Sequence, residues 1–141
     1  MILLDTNVIS EPMRQKPNTQ VAAWIDEQAV ETLYISAITV AELRFGVATL
    51  PVGKRKDILQ DSLERRILPL FFSRILAFDF EASGEYAKLM AKTRSEGLAL
   101  GLADSYIAAI AAAHGMLVAT RDTSPFIAAG IPIINPWESK P

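Results

Sequence analysis

Cysteine is absent and histidine occurs once among the 141 residues. No disulfide can form and no thiolate can hold a soft metal, so carboxylates and one imidazole make up the metal-binding and acid-base inventory. That inventory points to hard cations. Positive charge is also scarce, with 14 Lys and Arg against 16 Asp and Glu, a net charge of −2 and a pI near 5.4. A protein that coats nucleic acid through bulk positive charge is therefore excluded, although local contacts are not. Long apolar runs are missing too. The richest stretch, Leu98 to Thr120, is broken by Asp104, His114 and glycines, which predicts no membrane span and a soluble protein. Met1-Ile2-Leu3-Leu4 runs straight into Asp5 without a basic lead, a long apolar segment or a cleavage-site pattern, so the expected location is the cytoplasm.

What is present is apolar. Half of the residues are hydrophobic, more than a small monomer needs to fill its interior, which predicts that some apolar surface meets another protein. The length fits one domain spanning 1–141. Lys54-Arg55-Lys56 and Arg65-Arg66 are the densest basic clusters, and Asp57, Asp61 and Glu64 beside them make a solvated helix face the simplest reading.

Along the chain, strands and helices alternate. Met1–Leu4 reads as a buried strand ending in a turn to a helix, and Asn18 and Thr19 as caps of a helix to about Gln28. Leu33–Ser36 reads as a second strand, with Thr39 capping a helix to about Leu50. Past Pro51 and Gly53, Lys54–Leu70 reads as one further helix that forms a hairpin with it. Ile75–Phe78 reads as a strand, Asp79 as the cap of a helix to about Ser95, and Ala103–Ala113 as an alanine-rich helix stopped at His114-Gly115. A strand at Met116–Thr120, a short helix at Ser124–Ala129 and a strand at Ile131–Ile134 complete the series. The alternation predicts an α/β fold with a central parallel sheet of about four or five strands covered on both faces. In such sheets ligands collect at the carboxyl ends of the strands.

That rule gives the acids their meaning. Asp5 follows the first strand directly, Asp122 lies just past the fourth, Glu42 follows Thr39 at capping-box spacing, and Asp104 falls in the first turn of the alanine-rich helix. Four carboxylates converging on one rim repel each other unless protonated or neutralised by cations, and a pair of divalent ions held this way can hydrolyse a phosphodiester. Taken singly, each acid has a plainer explanation. Asp5 and Asp122 fit turns, Glu42 fits a capping box and Asp104 fits a helix-dipole partner. A phosphate-transfer enzyme of the haloacid-dehalogenase type expects a second Asp two residues after the first, where this chain has Asn7. His114 reads as a helix-end residue, and Trp24 and Trp137 as core or interface aromatics rather than stacking platforms for bases. Arg44 and Arg121, beside the acids, suit either an RNA phosphate or a structural ion pair.

Four segments and the ending carry a family resemblance. Met1-Ile2-Leu3-Leu4-Asp5-Thr6-Asn7-Val8-Ile9-Ser10-Glu11, Ser36-Ala37-Ile38-Thr39-Val40-Ala41-Glu42-Leu43-Arg44-Phe45-Gly46, Ala103-Asp104-Ser105-Tyr106-Ile107-Ala108-Ala109, Ala119-Thr120-Arg121-Asp122 and Asn135-Pro136-Trp137 occur in order across nearly the whole chain. Together they resemble the PIN-domain family, and within it the VapC toxins of the FitB-like branch. The resemblance implies a three-layer sandwich and a metal-dependent endoribonuclease, a toxin acting on RNA of the tRNA or rRNA class with Mg2+ or Mn2+. Asp5, Glu42, Asp104 and Asp122 are then the catalytic metal ligands, and Thr6, Asn7 and Thr120 orient them. It also implies a homodimer, a VapB-like or FitA-like antitoxin, and operator DNA reached only through that antitoxin. The competing expectation is an inactive PIN module that only binds antitoxin or RNA. One departure is visible. Many PIN toxins place an Asp directly before the Phe that follows Thr-Arg-Asn, where this chain has Pro125 before Phe126, and its acid stands three residues earlier at Asp122.

Overall fold

The computed structural model describes residues 1–138. Its five strands are β1 (Ile2–Leu4), β2 (Leu33–Ser36), β3 (Ile75–Leu76), β4 (Leu117–Ala119) and β5 (Ile133–Ile134). They form one sheet in the order β3-β2-β1-β4-β5, and every pairing is parallel. The α/β class and the count of strands agree with the sequence reading. Register places Ile2 opposite both Leu33 and Leu117, and Leu4 opposite Ala119.

β1 is the central strand, and side chains alternate across a strand, so its neighbouring residues face opposite layers. Leu3 joins a core with Ile107, Ile110, Val118 and Phe126, whereas Leu4 joins one with Val8, Trp24, Ile35, Leu43 and Leu63. The first layer is built by α5 (Phe80–Ser95) packed against α6 (Leu102–His114), with α7 (Thr123–Ala128) beside them. The second contains α1 (Thr6–Ser10), α2 (Thr19–Glu27) and α3 (Ala37–Ala48). Trp24 is thus a core residue. The alanines of α6 let it lie close to the sheet, and Gly115 ends it at φ 63°, a left-handed conformation that glycine adopts without a Cβ clash. His114 is the exposed last residue of that helix.

Two local expectations need correction. Thr39 does not cap α3. Ser36 does, its Oγ accepting from Thr39 N–H at 3.0 Å, so the helix begins at Ala37 and Thr39 is buried inside its first turn. The capping-box reading of Glu42 falls with it, because the third helical residue is Thr39. Lys54–Leu70 is likewise not one helix. α4 (Lys54–Asp61) runs into a π-helical turn at Ser62–Ile67 and then a 3-10 segment at Leu68–Arg74. Pro69 lacks an N–H and sits in the first turn of that segment, where it cannot continue an α-helical ladder. The wide turn shifts the phase, so Leu63, Leu68 and Phe71 are buried while Leu70 is exposed. Of the basic face, Arg65 pairs with Asp61 at 3.3 Å, whereas Glu64 is taken by Arg44 and Lys56 donates to the Ala48 carbonyl.

Candidate functional site

The strand order reverses at β1, whose neighbours β2 and β4 lead to opposite edges of the sheet. Two adjacent parallel strands whose crossovers leave in opposite directions splay their exits and open a crevice at their carboxyl ends. Asp5 and Thr120 occupy that crevice, one after β1 and one after β4. Asp5 N–H continues the ladder by donating to Ala119 C=O at 2.9 Å, which fixes the backbone from which the carboxylate projects.

The Asp5 carboxylate is held on both oxygens. Oδ1 accepts from Thr6 N–H at 2.8 Å and caps α1, and Oδ2 accepts from the Thr120 hydroxyl at 2.8 Å. Asn7 Nδ2 lies 3.4 Å from both Asp5 Oδ2 and Thr120 Oγ1, and Asn7 Oδ1 accepts from Arg121 N–H at 3.2 Å. Thr120 Oγ1 also accepts from Asp122 N–H at 3.0 Å. Thr6 Oγ1 donates to Glu42 Oε1 at 2.6 Å and stands 3.2 Å from Thr39 Oγ1. A hydroxyl has one proton, and the carboxylate is the stronger acceptor, so Thr39 donates to Thr6 and accepts in turn from Ser36 Oγ at 3.4 Å. The three supporting residues named from the sequence are all in this network. Ser36 and Thr39, which were not named, extend it through a buried hydroxyl chain to Glu42. Their sequence signal was the Ser-x-x-Thr spacing, which reads as ordinary capping until Thr6 is seen against it.

The four acids share one electrostatic neighbourhood. The pKa of Asp104 is raised to about 6, by burial first and then by the negative charges of Asp5, Asp122 and Glu42. Asp5 is also raised, by burial first. The Thr120 and Thr6 hydrogen bonds oppose that rise, and Glu42 and Asp122 add to it. Glu42 and Asp122 are exposed, Asp104 is half-buried and Asp5 is buried. Asp122 precedes α7, yet its side chain makes no capping hydrogen bond, so the turn role does not consume its carboxylate. Among the described residues none of the four acids has a Lys or Arg in salt-bridge contact. Arg44 binds Glu64 instead, with Nη2 to Oε1 at 2.7 Å.

Four carboxylates without a cationic partner, two of them (Asp5 and Asp104) with raised pKa values, call for positive charge. The donors are all oxygens, which fits a hard divalent cation of the Mg2+ or Mn2+ kind and not a thiolate-seeking metal. Among the described residues no three acids stand in a closed metal-binding cluster. Glu42 is held by Thr6, whereas the exposed Asp122 makes no capping hydrogen bond and is the member with room to move inward.

Sheet and site together define a parallel α/β domain with an acidic cluster beside its switch point. The chain belongs to the PIN-domain family, whose pattern matches residues 2–131. It is 61% identical over 138 residues to VapC ribonuclease Y4jK of Sinorhizobium fredii, covering 98% of this chain and 99% of that protein. It is 53% identical over 137 residues to toxin FitB of Neisseria gonorrhoeae, covering 97% and 99% respectively. The structure of FitAB bound to an IR36 DNA fragment contains a chain 51% identical, with a TM-score of 0.96, covering 100% of this chain and 99% of that one.

Proposed function

We propose that this chain is the toxin of a toxin-antitoxin pair, a single PIN domain that cleaves RNA internally with Mg2+ or Mn2+ held by Asp5, Glu42, Asp104 and Asp122. The observation that carries the reading is the oriented, charge-uncompensated carboxylate cluster at the switch point, Asp5 fixed by Thr6 and Thr120 and Glu42 by Thr6. Relatives named VapC ribonuclease and toxin FitB support the activity class. A bound divalent cation supplies the positive charge that a phosphodiester gaining negative charge requires. The protein's own share is to orient that charge. Thr120 and Thr6 N–H fix both Asp5 oxygens, the Ser36-Thr39-Thr6 chain fixes Glu42, and the buried side of the crevice excludes water around Asp5.

The test is RNA cleavage by purified protein. Single-stranded RNA or tRNA is cut internally with Mn2+ or Mg2+, is left intact in EDTA, and is cut again when the ion is restored. Undiminished cleavage in EDTA overturns the metal assignment. Absence of cleavage with either ion, together with tight binding of an antitoxin, establishes the inactive module instead.

Asp122 stands at the exposed edge of the cluster with no bond fixing its carboxylate. Asp122→Asn should therefore lower Mn2+ affinity or cleavage by about 10- to 100-fold, the scale seen when a group supporting a metal site is lost. Mn2+ titration and initial cleavage rates check it, and a wild-type Asp122→Asn protein leaves a three-acid site.

The partners follow from the surface and the relatives. Phe45, Phe72, Phe80 and Val52 are all at least 70% exposed, apolar area of the kind a homodimer and a FitA-like or VapB-like antitoxin helix bury. The FitAB structure with DNA supports a route to operator DNA through the antitoxin. A groove of about 360 Å3 between α3 and the Lys54–Ile67 segment, lined by Val47, Lys56 and Leu63, is the antitoxin site we favour. Among the described residues no helix is long and apolar enough to cross a membrane, which suits work in the cytoplasm.

A further inference from the structure

One cation beside the acidic cluster is placed unlike its neighbours. Arg121 stands between Thr120, whose hydroxyl holds Asp5, and Asp122. Its backbone is fixed by the bond from its N–H to Asn7 Oδ1. Despite the carboxylates around it, its guanidinium makes no salt bridge among the described residues. It lies over the Trp137 ring instead, 5.3 Å from the centroid. Trp137 is a firm support. Its N–H donates to Asn135 Oδ1 at 2.9 Å, and the side chain packs against the core that contains Leu4 and Ala119.

An arginine over an aromatic face keeps its peripheral N–H groups for other acceptors and loses little freedom when it binds a planar or tetrahedral anion. Arg14, Arg44 and Arg65 are each engaged by a carboxylate, and Arg74 by the carbonyls of Leu33 and Leu70. Arg121 is exposed, held over the Trp137 ring and adjacent in the chain to Asp122. The contact also covers part of the indole, which disfavours Trp137 as a stacking surface for a base.

From this geometry we infer that Arg121 binds a backbone phosphate of the RNA beside the bond to be cut, and that Trp137 is a positioning residue that holds the guanidinium away from the acids. The inference rests on the ribonuclease reading above. It gives that site a cation for the substrate that leaves the carboxylates free for metal.

The experiment measures cleavage of a labelled single-stranded RNA with Mn2+, its salt dependence, and Mn2+ binding without RNA. Arg121→Gln should raise KM about tenfold, the scale of losing a charge-assisted hydrogen bond, with kcat within about twofold. It should also flatten the salt dependence of RNA binding by about 0.7 in log-log slope, the share of one single-strand phosphate contact. Arg121→Lys should keep that slope and lose part of the affinity, and Trp137→Leu should raise KM by less than Arg121→Gln does. Mn2+ binding should not weaken in either Arg121 variant, and it should weaken in Trp137→Leu, where the released guanidinium can pair with the acids. Arg44→Gln, which loses only the Glu64 pair, should leave KM unchanged. Wild-type KM and slope in Arg121→Gln, or a fall in kcat alone, overturn the phosphate assignment, and wild-type KM in Trp137→Leu overturns the positioning role. RNA binding compared between Asp5→Asn and the Asp5→Asn/Arg121→Gln pair reads the arginine without cleavage, so a failure of the ribonuclease reading is distinguishable from a failure of this one.

Discussion

Replacing Asp5 with asparagine should abolish RNA cleavage, a loss exceeding the roughly 100-fold caused by removing a group that merely supports a metal site. The carboxylate is the buried member of the cluster, and both its oxygens are fixed by the chain itself, so no neighbour can move in to replace it. Asparagine is nearly isosteric and retains an oxygen for Thr6 N–H. It also removes a charge whose burial is unfavourable, as the raised pKa of Asp5 records. The fold should therefore survive, with the removed buried charge offsetting the loss of the acceptor for Thr120, and Tm without metal should change little. Cleavage assays beside a thermal melt monitored by circular dichroism check both halves. Activity within tenfold of wild type would falsify the central place given to Asp5.

The second large effect concerns stability and pH in metal-free protein. Asp104 titrates near 3.8 in an unfolded chain and at about 6 in the folded one. Between those values the folded state holds the proton more tightly, so acid favours folding. Stability falls as pH rises from about 4 to about 6, and the full penalty persists above that range. Asp5, shifted in the same direction, adds to it. Asp104 is only half-buried and water screens it, so we expect roughly 1 kcal/mol from its shift, about 3 to 5 °C in Tm for a domain of this size. Asp104→Asn should raise the metal-free Tm at pH 7.5 by that amount and flatten its decline with pH. A divalent ion should do more, adding about 2.7 kcal/mol at a hundred times its Kd. The same variant should lose cleavage. An unchanged or steeper pH profile in Asp104→Asn would remove Asp104 from the coupled cluster.

The sequence carried the sheet because period and punctuation agree there. Ile2–Leu4 ends at Asp5 and Leu117–Ala119 at Thr120, and the alternation with helices fixed the parallel class and hence the rim. Asp5, Glu42, Asp104 and Asp122 were legible through the ordered motifs, and the fold places them in one electrostatic neighbourhood. Thr39 was misread because Ser36 offers the same capping chemistry three residues earlier, and only the tertiary contact with Thr6 shows what its hydroxyl does. The π turn at Ser62–Ile67 was hidden for a related reason. Apolar spacing in Lys54–Leu70 suits an α-helix, and the consequence of Pro69 depends on the packing of Leu68 and Phe71 behind it. The partnership of Arg121 with Trp137 joins residues that no local pattern connects.

The bond between Thr120 and Asp5 joins residues 115 positions apart. A ribosome making this protein produces Asp5 115 residues before its hydroxyl partner. β1 emerges early, but its β4 neighbour and the switch-point crevice wait until residues 117–119 have left the exit tunnel. A nascent or prematurely terminated chain therefore holds three of the four acids, Asp5, Glu42 and Asp104, without the wall that aligns them. The crevice that orients the acids can therefore close only after Thr120 has been synthesised, however early Asp5, Glu42 and Asp104 appear.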